Sequence, residues 1–520
     1  MAPKKHEKKA AARSTEAVPV HRWFQFLEQQ DVRGAALPVT LLFSLLVRWC
    51  VALHGYSGFQ KPPIHGDYEA QRHWMEITTH LPASEWYFYD LQYWGLDYPP
   101  LTAFQSWVCG CVANLIDPSW VALGSSRGTE THESKLFMRA SVVILESIVY
   151  VPAVVLLFRS RQMSLSWAAR QATLFTALLQ PCLLLVDHGH FQYNSVMLGF
   201  LVWSVYFATQ QHYVLMAISF CCSLLFKQMA LYFAPAVFAF LLAKCFQRQH
   251  GLMLFVKLGL AVIGTFGIML LPWIRSPEQL RQILIRVFPV ARGLYEDKVA
   301  NVWCALNVVV KLRTIFEVRS LLRIAAVATG LMFAPSCIHL FVSTRRLQTA
   351  TSPVLLKLLC YSLLNTSLAF FLFSFQVHEK SILLPLAPAL LLAADEHWAV
   401  NWFVQVGLFS MYPLLFRDGL QLPYWVLAVG WSLLRGCPAY PSEKQTPRLV
   451  LLLQWLSTFA MVAIHVLQAF VPPPSSLPDI YVVANVLFSC AMFGFFFLYF
   501  NYRQFTLLRA TDTQTKLKTQ

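Results

Sequence analysis

The chain has 520 residues, of which 57% are hydrophobic and 13% charged, with a formal net charge of +15. Soluble domains carry about 45–50% apolar and about 25% charged residues. The composition therefore excludes an ordinary soluble enzyme, a disordered protein and a nucleic-acid binder. It predicts an all-α polytopic membrane protein, in which surplus Lys and Arg first mark cytoplasmic loops. Of the twelve cysteines, Cys221, Cys222, Cys360 and Cys490 lie inside apolar runs. They read as small buried hydrophobes rather than a disulfide framework.

Residues 1–35 are polar and carry Lys4, Lys5, Lys8, Lys9 and Arg13, a basic cytosolic tail. The first apolar run after it is long enough to be a retained helix. Apolar segments suited to crossing a bilayer fall at 36–54, 137–158, 167–187, 195–209, 213–227, 229–245, 252–272, 321–343, 353–375, 381–395, 398–416, 420–434, 448–470 and 478–500, about fourteen transmembrane helices. A fifteenth candidate, 101–116, is short and follows Pro99-Pro100. Reading it as interfacial puts Arg159/Arg161, Lys244/Arg248, Arg345/Arg346, Arg435/Lys444/Arg448 and the cytosolic tail at 501–520 on the side of the N-terminal tail, as the positive-inside rule asks. Residues 36–395 then form a transmembrane module with two long far-side loops, and 396–500 form further transmembrane helices. The loop at 55–136 is acidic, with nine Asp/Glu against four Lys/Arg. The loop at 273–320 is basic, with eight Lys/Arg against four acids, and breaks the rule. An anionic ligand is one reason for such a loop; partial insertion of 299–312 is another.

No metal-binding, Walker or GxGxxG pattern occurs, and neither a cofactor nor a metal is implied. Polar residues gather instead at six membrane-boundary motifs: GDYEAQRHW (66–74), YWGLDYPPLTAF (93–104), DHGHFQYNSVML (187–198), FKQMALY (226–232), RGLYEDKVANVW (292–303) and FSFQVHEKSIL (373–383). The topology chosen from charge alone puts all six on one side of the membrane. Convergent ionisable groups at one face are a candidate site. Carboxylates beside Tyr and Trp suit a sugar, and cations at the bilayer edge suit a lipid-linked phosphate.

Together, in this order, the six motifs resemble the endoplasmic-reticulum glucosyltransferases that use dolichyl-phosphate-glucose. The resemblance runs from about residue 55 to 390. It implies a GT-C glycosyltransferase architecture with luminal loops carrying short amphipathic helices. It implies a dolichyl-phosphate-glucose donor, a dolichyl-diphosphate-linked oligosaccharide acceptor, and contact with membrane lipid but not nucleic acid. Gly66, Gln71, Gly189 and Glu296-Asp297-Lys298 are similar to the member that adds the first glucose to Man9GlcNAc2. The sister that adds the second glucose, and a lipid-linked sugar transporter or flippase, are the alternatives. The resemblance further implies inverting transfer to an α-1,3 product. That chemistry needs one base for the acceptor hydroxyl and cations for the leaving phosphate.

The resemblance makes Asp67 the base. Asp97 and Tyr98 either meet the acceptor or brace the Pro99-Pro100 turn. Trp74, Tyr93, Trp94 and Tyr98 are placed to hold a sugar. Glu69 and Arg72 either bind substrate or pair with each other at i, i+3. Lys227, Arg292, Lys298 and Lys380 are candidates for the donor phosphate, with His378 and Glu379 beside them. His188, His190 and Glu296 complete the expected substrate-binding set. Within the spans, Arg48, Arg139, Glu146 and Arg170 are expected to pair and fix helix packing.

Overall fold

A computed structural model describes residues 18–160, 165–247, 249–288, 298–347, 353–436 and 448–519, with side chains to 508 apart from that of Arg313. Every regular element among them is helical. The first half comprises α1 (Pro19–Gln29), α2 (Arg33–Ala52), α3 (Asp67–His80), α4 (Pro100–Ile116), α5 (His132–Arg159), α6 (Trp167–Leu178), α7 (Asn194–Thr209), α8 (Tyr213–Phe226), α9 (Gln228–Gln247) and α10 (Gly251–Leu270). The second half comprises α11 (Pro277–Val287), α12 (Val302–Val309), α13 (Val318–Arg346), α14 (Pro353–Phe373), α15 (Leu383–Leu391), α16 (His397–Ser410), α17 (Tyr412–Arg417), α18 (Gln421–Arg435), α19 (Arg448–Phe470) and α20 (Ile480–Thr519).

Among the described residues, nine helices are long and apolar enough to cross a membrane: α2, α5, α6 with its continuation to Phe191, α9, α10, α13, α14, α19 and α20. Helices α7 and α8 are apolar but shorter. Helix α10 shows why water is not the solvent here. Its only buried residue is Leu258, while Leu252 and Ile263 are 78% and 70% exposed. Apolar surface on this scale needs lipid around it. The chain is a multi-pass membrane protein. The fifteenth candidate, 101–116, read as interfacial, lies on α4, whose 17 residues reach about 25 Å at about 1.5 Å per residue, short of a hydrocarbon core of about 30 Å. Pro100 opens it, where a missing N–H costs nothing, and it packs along α3.

The two long loops fold together. Trp74, Trp86, Tyr87, Leu96 and Ala103 of the first share a second apolar core with Trp273, Ile283 and Val287 of the second. Polar contacts fasten the joint. Trp273 Nε1 donates to Ala83 O (2.7 Å), and Gln282 Nε2 to Tyr87 O (3.0 Å). Arg286 donates to Gly95 O and Leu96 O at 2.7 and 3.1 Å. One cation of the basic loop therefore caps carbonyls of the acidic loop.

The expected ion pairs within the spans are found in part. Arg48 makes a two-pronged pair with Glu146, both contacts 2.7 Å, and both residues are buried. Breaking such a pair from one side costs about 3–5 kcal/mol, because the other charge stays buried alone. Arg139 instead donates to the carbonyls of Gly55 and Gly189 at 2.9 and 2.8 Å. Half-buried Arg170 donates to Leu165 O.

Candidate active site

Helix α3 begins at Asp67 because Gly66 lets it. Gly66 is extended (φ −151°, ψ −156°), and a Cβ there would lie 2.6 Å from the backbone carbon of Ser57 and 2.7 Å from the amide nitrogen of Gly58. The strand of chain 57–58 thus lies directly on residue 66. Ser57 Oγ accepts from the Asp67 amide at 3.2 Å. Asp67 and Glu69 occupy the first turn, where the helix dipole favours negative charge.

The second contributor is the turn after α6. Residues Leu185–Phe191 form one π-helical turn, and Phe191 takes φ +86° although it is not glycine. Such conformations persist where the surrounding structure holds them. Here the turn aims three side chains in three directions. Asp187 accepts from Asn194 N, Asn194 Nδ2 and Ser195 N at 3.1, 2.9 and 2.6 Å, capping α7. His188 Nε2 lies 2.7 Å from Glu146 Oε2, away from Asp67. His190 Nε2 lies 2.9 Å from Asp67 Oδ2.

The same Asp67 oxygen accepts from Gln192 Nε2 at 2.5 Å and from Lys380 Nζ. Lys380 also sits 3.1 Å from His190 Nε2. It stands on the 3-10 turn Glu379–Ile382, between α14 and α15, with His378 and Glu379 half-buried beside it. Asp67 and Lys380 keep 26% and 19% of their side chains exposed, whereas His190 keeps 2%. The carboxylate and the ammonium thus face outward from a buried support. Burial opposes ionisation of Asp67, but Lys380 and then His190 outweigh it and hold the carboxyl well below its usual range.

Next to this pair, Lys227 Nζ donates to Gln192 Oε1 and Asn194 Oδ1, both at 2.7 Å. It also lies 4.8 Å from the centre of the Tyr98 ring. Trp74 packs on Tyr98 with ring centres 4.8 Å apart. Trp74 Nε1 donates to Trp94 O at 3.0 Å, and Trp94 Nε1 donates to Ile64 O at 2.6 Å. Asp97 is half-buried beside Tyr98, and its charge acts on Lys227.

Asp67, His190, Lys227, Lys380, Tyr98 and Trp74 are therefore brought together from five separate motifs of the expected six. Others of the expected set stand elsewhere. Glu69 and Arg72 are buried and bonded to each other at 2.6 and 2.8 Å. Arg72 also donates to Glu76 (2.8 Å) and Ser126 Oγ (2.6 Å), and Tyr93 OH donates to Glu69 (3.0 Å). These residues tie α3 to chain 120–126 rather than to the face of Asp67. His188 belongs to the Arg48–Glu146 pair. Lys298 is exposed with φ +84°. Arg292 and Glu296 lie outside the described residues.

Three residues of the cluster escaped the sequence reading. Gln192 and Asn194 stand inside a motif whose histidines drew attention. Asp418 is buried in the turn after α17, and its Oδ2 lies 2.5 Å from His190 Nδ1. Its signal was available: Arg417-Asp418 is a charged pair between two apolar segments, on the side where the topology puts the six motifs.

A clamp of carboxylate, imidazole and two lysine side chains, edged by aromatic rings, can take a proton from a hydroxyl and meet an anionic leaving group. Comparison with known proteins identifies the family. The model of the ALG6, ALG8 glycosyltransferase family matches residues 44–499. The dolichyl pyrophosphate Man9GlcNAc2 alpha-1,3-glucosyltransferase of Gallus gallus is 41% identical over 501 residues, covering 90% of this chain and 96% of that protein. The probable enzyme of the same name from Schizosaccharomyces pombe is 40% identical, covering 96% and 97%. That of Saccharomyces cerevisiae is 39% identical, covering 90% and 92%. This chain belongs to the ALG6, ALG8 glycosyltransferase family.

Proposed function

We propose that the chain transfers glucose from dolichyl-phosphate-glucose to the terminal mannose of dolichyl-diphosphate-linked Man9GlcNAc2, forming an α-1,3 linkage with inversion. The observation that carries the reading is the Asp67–Lys380 pair, a carboxylate and an ammonium partly exposed on a buried support, which suits a base and a cation for the donor phosphate. The names of the relatives supply the acceptor.

In this reading the mannose 3-hydroxyl donates its proton to Asp67 as its oxygen attacks the anomeric carbon of the glucose. The new C–O bond forms as the bond to the donor phosphate breaks, and that electron pair leaves on the phosphate oxygen. Lys380 passes from Asp67 to the phosphate as donor binds, which returns basicity to Asp67 at the moment it is needed. Lys227 adds positive potential, with His378 at the lipid edge, and Trp74 and Tyr98 offer flat apolar faces to the sugars. Asp97 and Glu379 are placed to accept from sugar hydroxyls. A carboxylic acid for the leaving group is unnecessary, because dolichyl phosphate leaves as a stabilised anion.

The same reading includes a GT-C architecture with about fourteen crossings, in the endoplasmic-reticulum membrane, with both termini cytosolic and the site luminal. The test uses purified protein in detergent with the donor and two acceptors, Man9GlcNAc2 and the same glycan already carrying one glucose. One hexose added to the first acceptor alone is the expected result. Hexose added only to the second would assign the chain to the sister reaction, and none added to either would end the reading.

A further inference from the structure

C-terminal to Lys380, the described residue that joins the candidate site is Asp418. Asp418 sits in the turn between α17 and α18, and the turn is pinned from three directions. Lys61 Nζ donates to Arg417 O at 2.8 Å. Leu420 N returns to Leu415 O at 2.9 Å, with Gly419 at φ +72° making the reversal. Gly55 lies so close that a Cβ on it would come within 3.0 Å of Asp418 O. Asp418 Oδ2 meets His190 Nδ1 at 2.5 Å, and the other ring nitrogen meets Asp67 Oδ2 at 2.9 Å.

An ionised carboxylate only accepts, so two carboxylates on one imidazole ask for two N–H donors. The two carboxylates facing His190 make this demand, whereas Lys380 Nζ, a donor 3.1 Å from Nε2, opposes it while it stays there. Asp67 comes from α3, Lys380 from the Glu379–Ile382 turn and Asp418 from the α17–α18 turn. Arg139 of α5 takes the carbonyl of Gly189 and lies over the Phe191 ring, and Lys227 is held off by Gln192. Among the described residues Lys380 is the cation nearest the His190 ring, and it is the group with a second place to go, the donor phosphate. Once it leaves, a doubly protonated His190 is the partner that keeps Asp67 oriented.

We infer that Asp418 is a positioning residue for glucosyl transfer: it holds His190 as an imidazolium whose Nε2–H aims the Asp67 carboxylate at the acceptor hydroxyl. The inference rests on the proposed function and deepens it. It gives the C-terminal helices a part in catalysis that none of the six motifs contains. Asp418 touches neither substrate; it acts through His190.

The test compares wild type with Asp418→Asn and Asp418→Glu in detergent, measuring kcat and KM for both lipids from acid to alkaline pH. Asn keeps the shape and an accepting oxygen but loses the charge. Without that charge the imidazolium gives up its proton at lower pH. The alkaline limb of kcat should therefore move down by about one pH unit, with about tenfold loss of kcat above it, while either KM changes by less than about twofold. Asp418→Glu should restore the limb at least in part. An Asp418→Asn enzyme with the wild-type pH profile, or with equal loss at every pH, would overturn the inference. Wild-type protein that adds no glucose to Man9GlcNAc2 would instead overturn the function, so the two failures are distinct. Independently of turnover, nitrogen NMR of histidine-labelled wild type, with His190→Gln subtracted, should show a doubly protonated ring at neutral pH. A neutral ring there would also overturn the inference.

Discussion

At Asp67, three donors converge on one carboxylate oxygen, and they are not equivalent. His190 and Gln192 are fixed by buried neighbours, whereas Lys380 is partly exposed and stands on a short turn. Removing it should therefore have two separable effects. Lys380→Gln should raise the KM for donor by at least about tenfold, since a charge-assisted phosphate contact is worth about 1.5–3 kcal/mol, and should leave the acceptor KM nearly unchanged. It should also shift the acid limb of activity. Lys380 is the chief cation holding the Asp67 carboxyl low against burial, so without it the carboxyl takes up a proton at higher pH and activity fails sooner on acidification. Steady-state kinetics against pH reads both effects. An acid limb unmoved, or a change confined to acceptor KM, would count against the ion pair's role. Sequence reasoning reached Asp67, His190, Lys227 and Lys380. It could not separate these from Glu69, Arg72 and His188, because an i, i+3 pair and a substrate-facing pair look alike until burial is known.

At the scale of elements, the site depends on where α3 starts and on what holds it down. The start is set by Gly66 lying against the backbone of 57–58. Gly66→Ala puts a methyl group into that contact, and the backbone must move. Overpacking of this kind costs about 1–3 kcal/mol. We expect a lower melting temperature and at least about a tenfold loss of kcat, because Asp67 is the next residue. Wild-type kcat in this variant would show that the register of α3 does not matter. The hold-down is Glu76, which accepts from Arg72 (2.8 Å), Gly124 N (2.7 Å) and Ser126 Oγ (3.0 Å). Burial raises its pKa, but His73 and Arg72 bring it down to about 2. Its contribution is therefore complete above the ordinary glutamate value of about 4.5 and is lost as pH falls towards 2. Protection of the Gly124 amide, its exchange rate relative to the intrinsic rate at each pH, should be high above that window and fall within it. Glu76→Gln should abolish the pH dependence. The π turn at Leu185–Phe191, which sends Asp187, His188 and His190 to different partners, was not legible from residues 187–194, since a helical period gives no sign of an extra residue in one turn.

For the whole molecule, composition and the charge of the loops carried the argument furthest. The apolar segments expected from hydropathy lie on helices. The six motifs assigned to one side by charge include the five that supply the Asp67 cluster. The two long loops were treated as separate features of opposite charge. In the structure they share a core, and Arg286 of one caps Gly95 and Leu96 of the other. Contacts of that kind join residues about 190 positions apart and leave no local pattern. For Asp418 the charged pair with Arg417 marked a position at the right face, but its pairing with a histidine 228 residues away left no local pattern. The account as a whole holds that one carboxylate at the head of α3 performs transfer onto the lipid-linked glycan. Its most direct test is to give purified wild type and Asp67→Asn the glucose-labelled donor and Man9GlcNAc2 acceptor, after matching their size-exclusion profiles and melting temperatures. The account predicts one labelled glucose added by wild type and at least about a hundredfold slower addition by Asp67→Asn. Near-equal rates for the two proteins would contradict it.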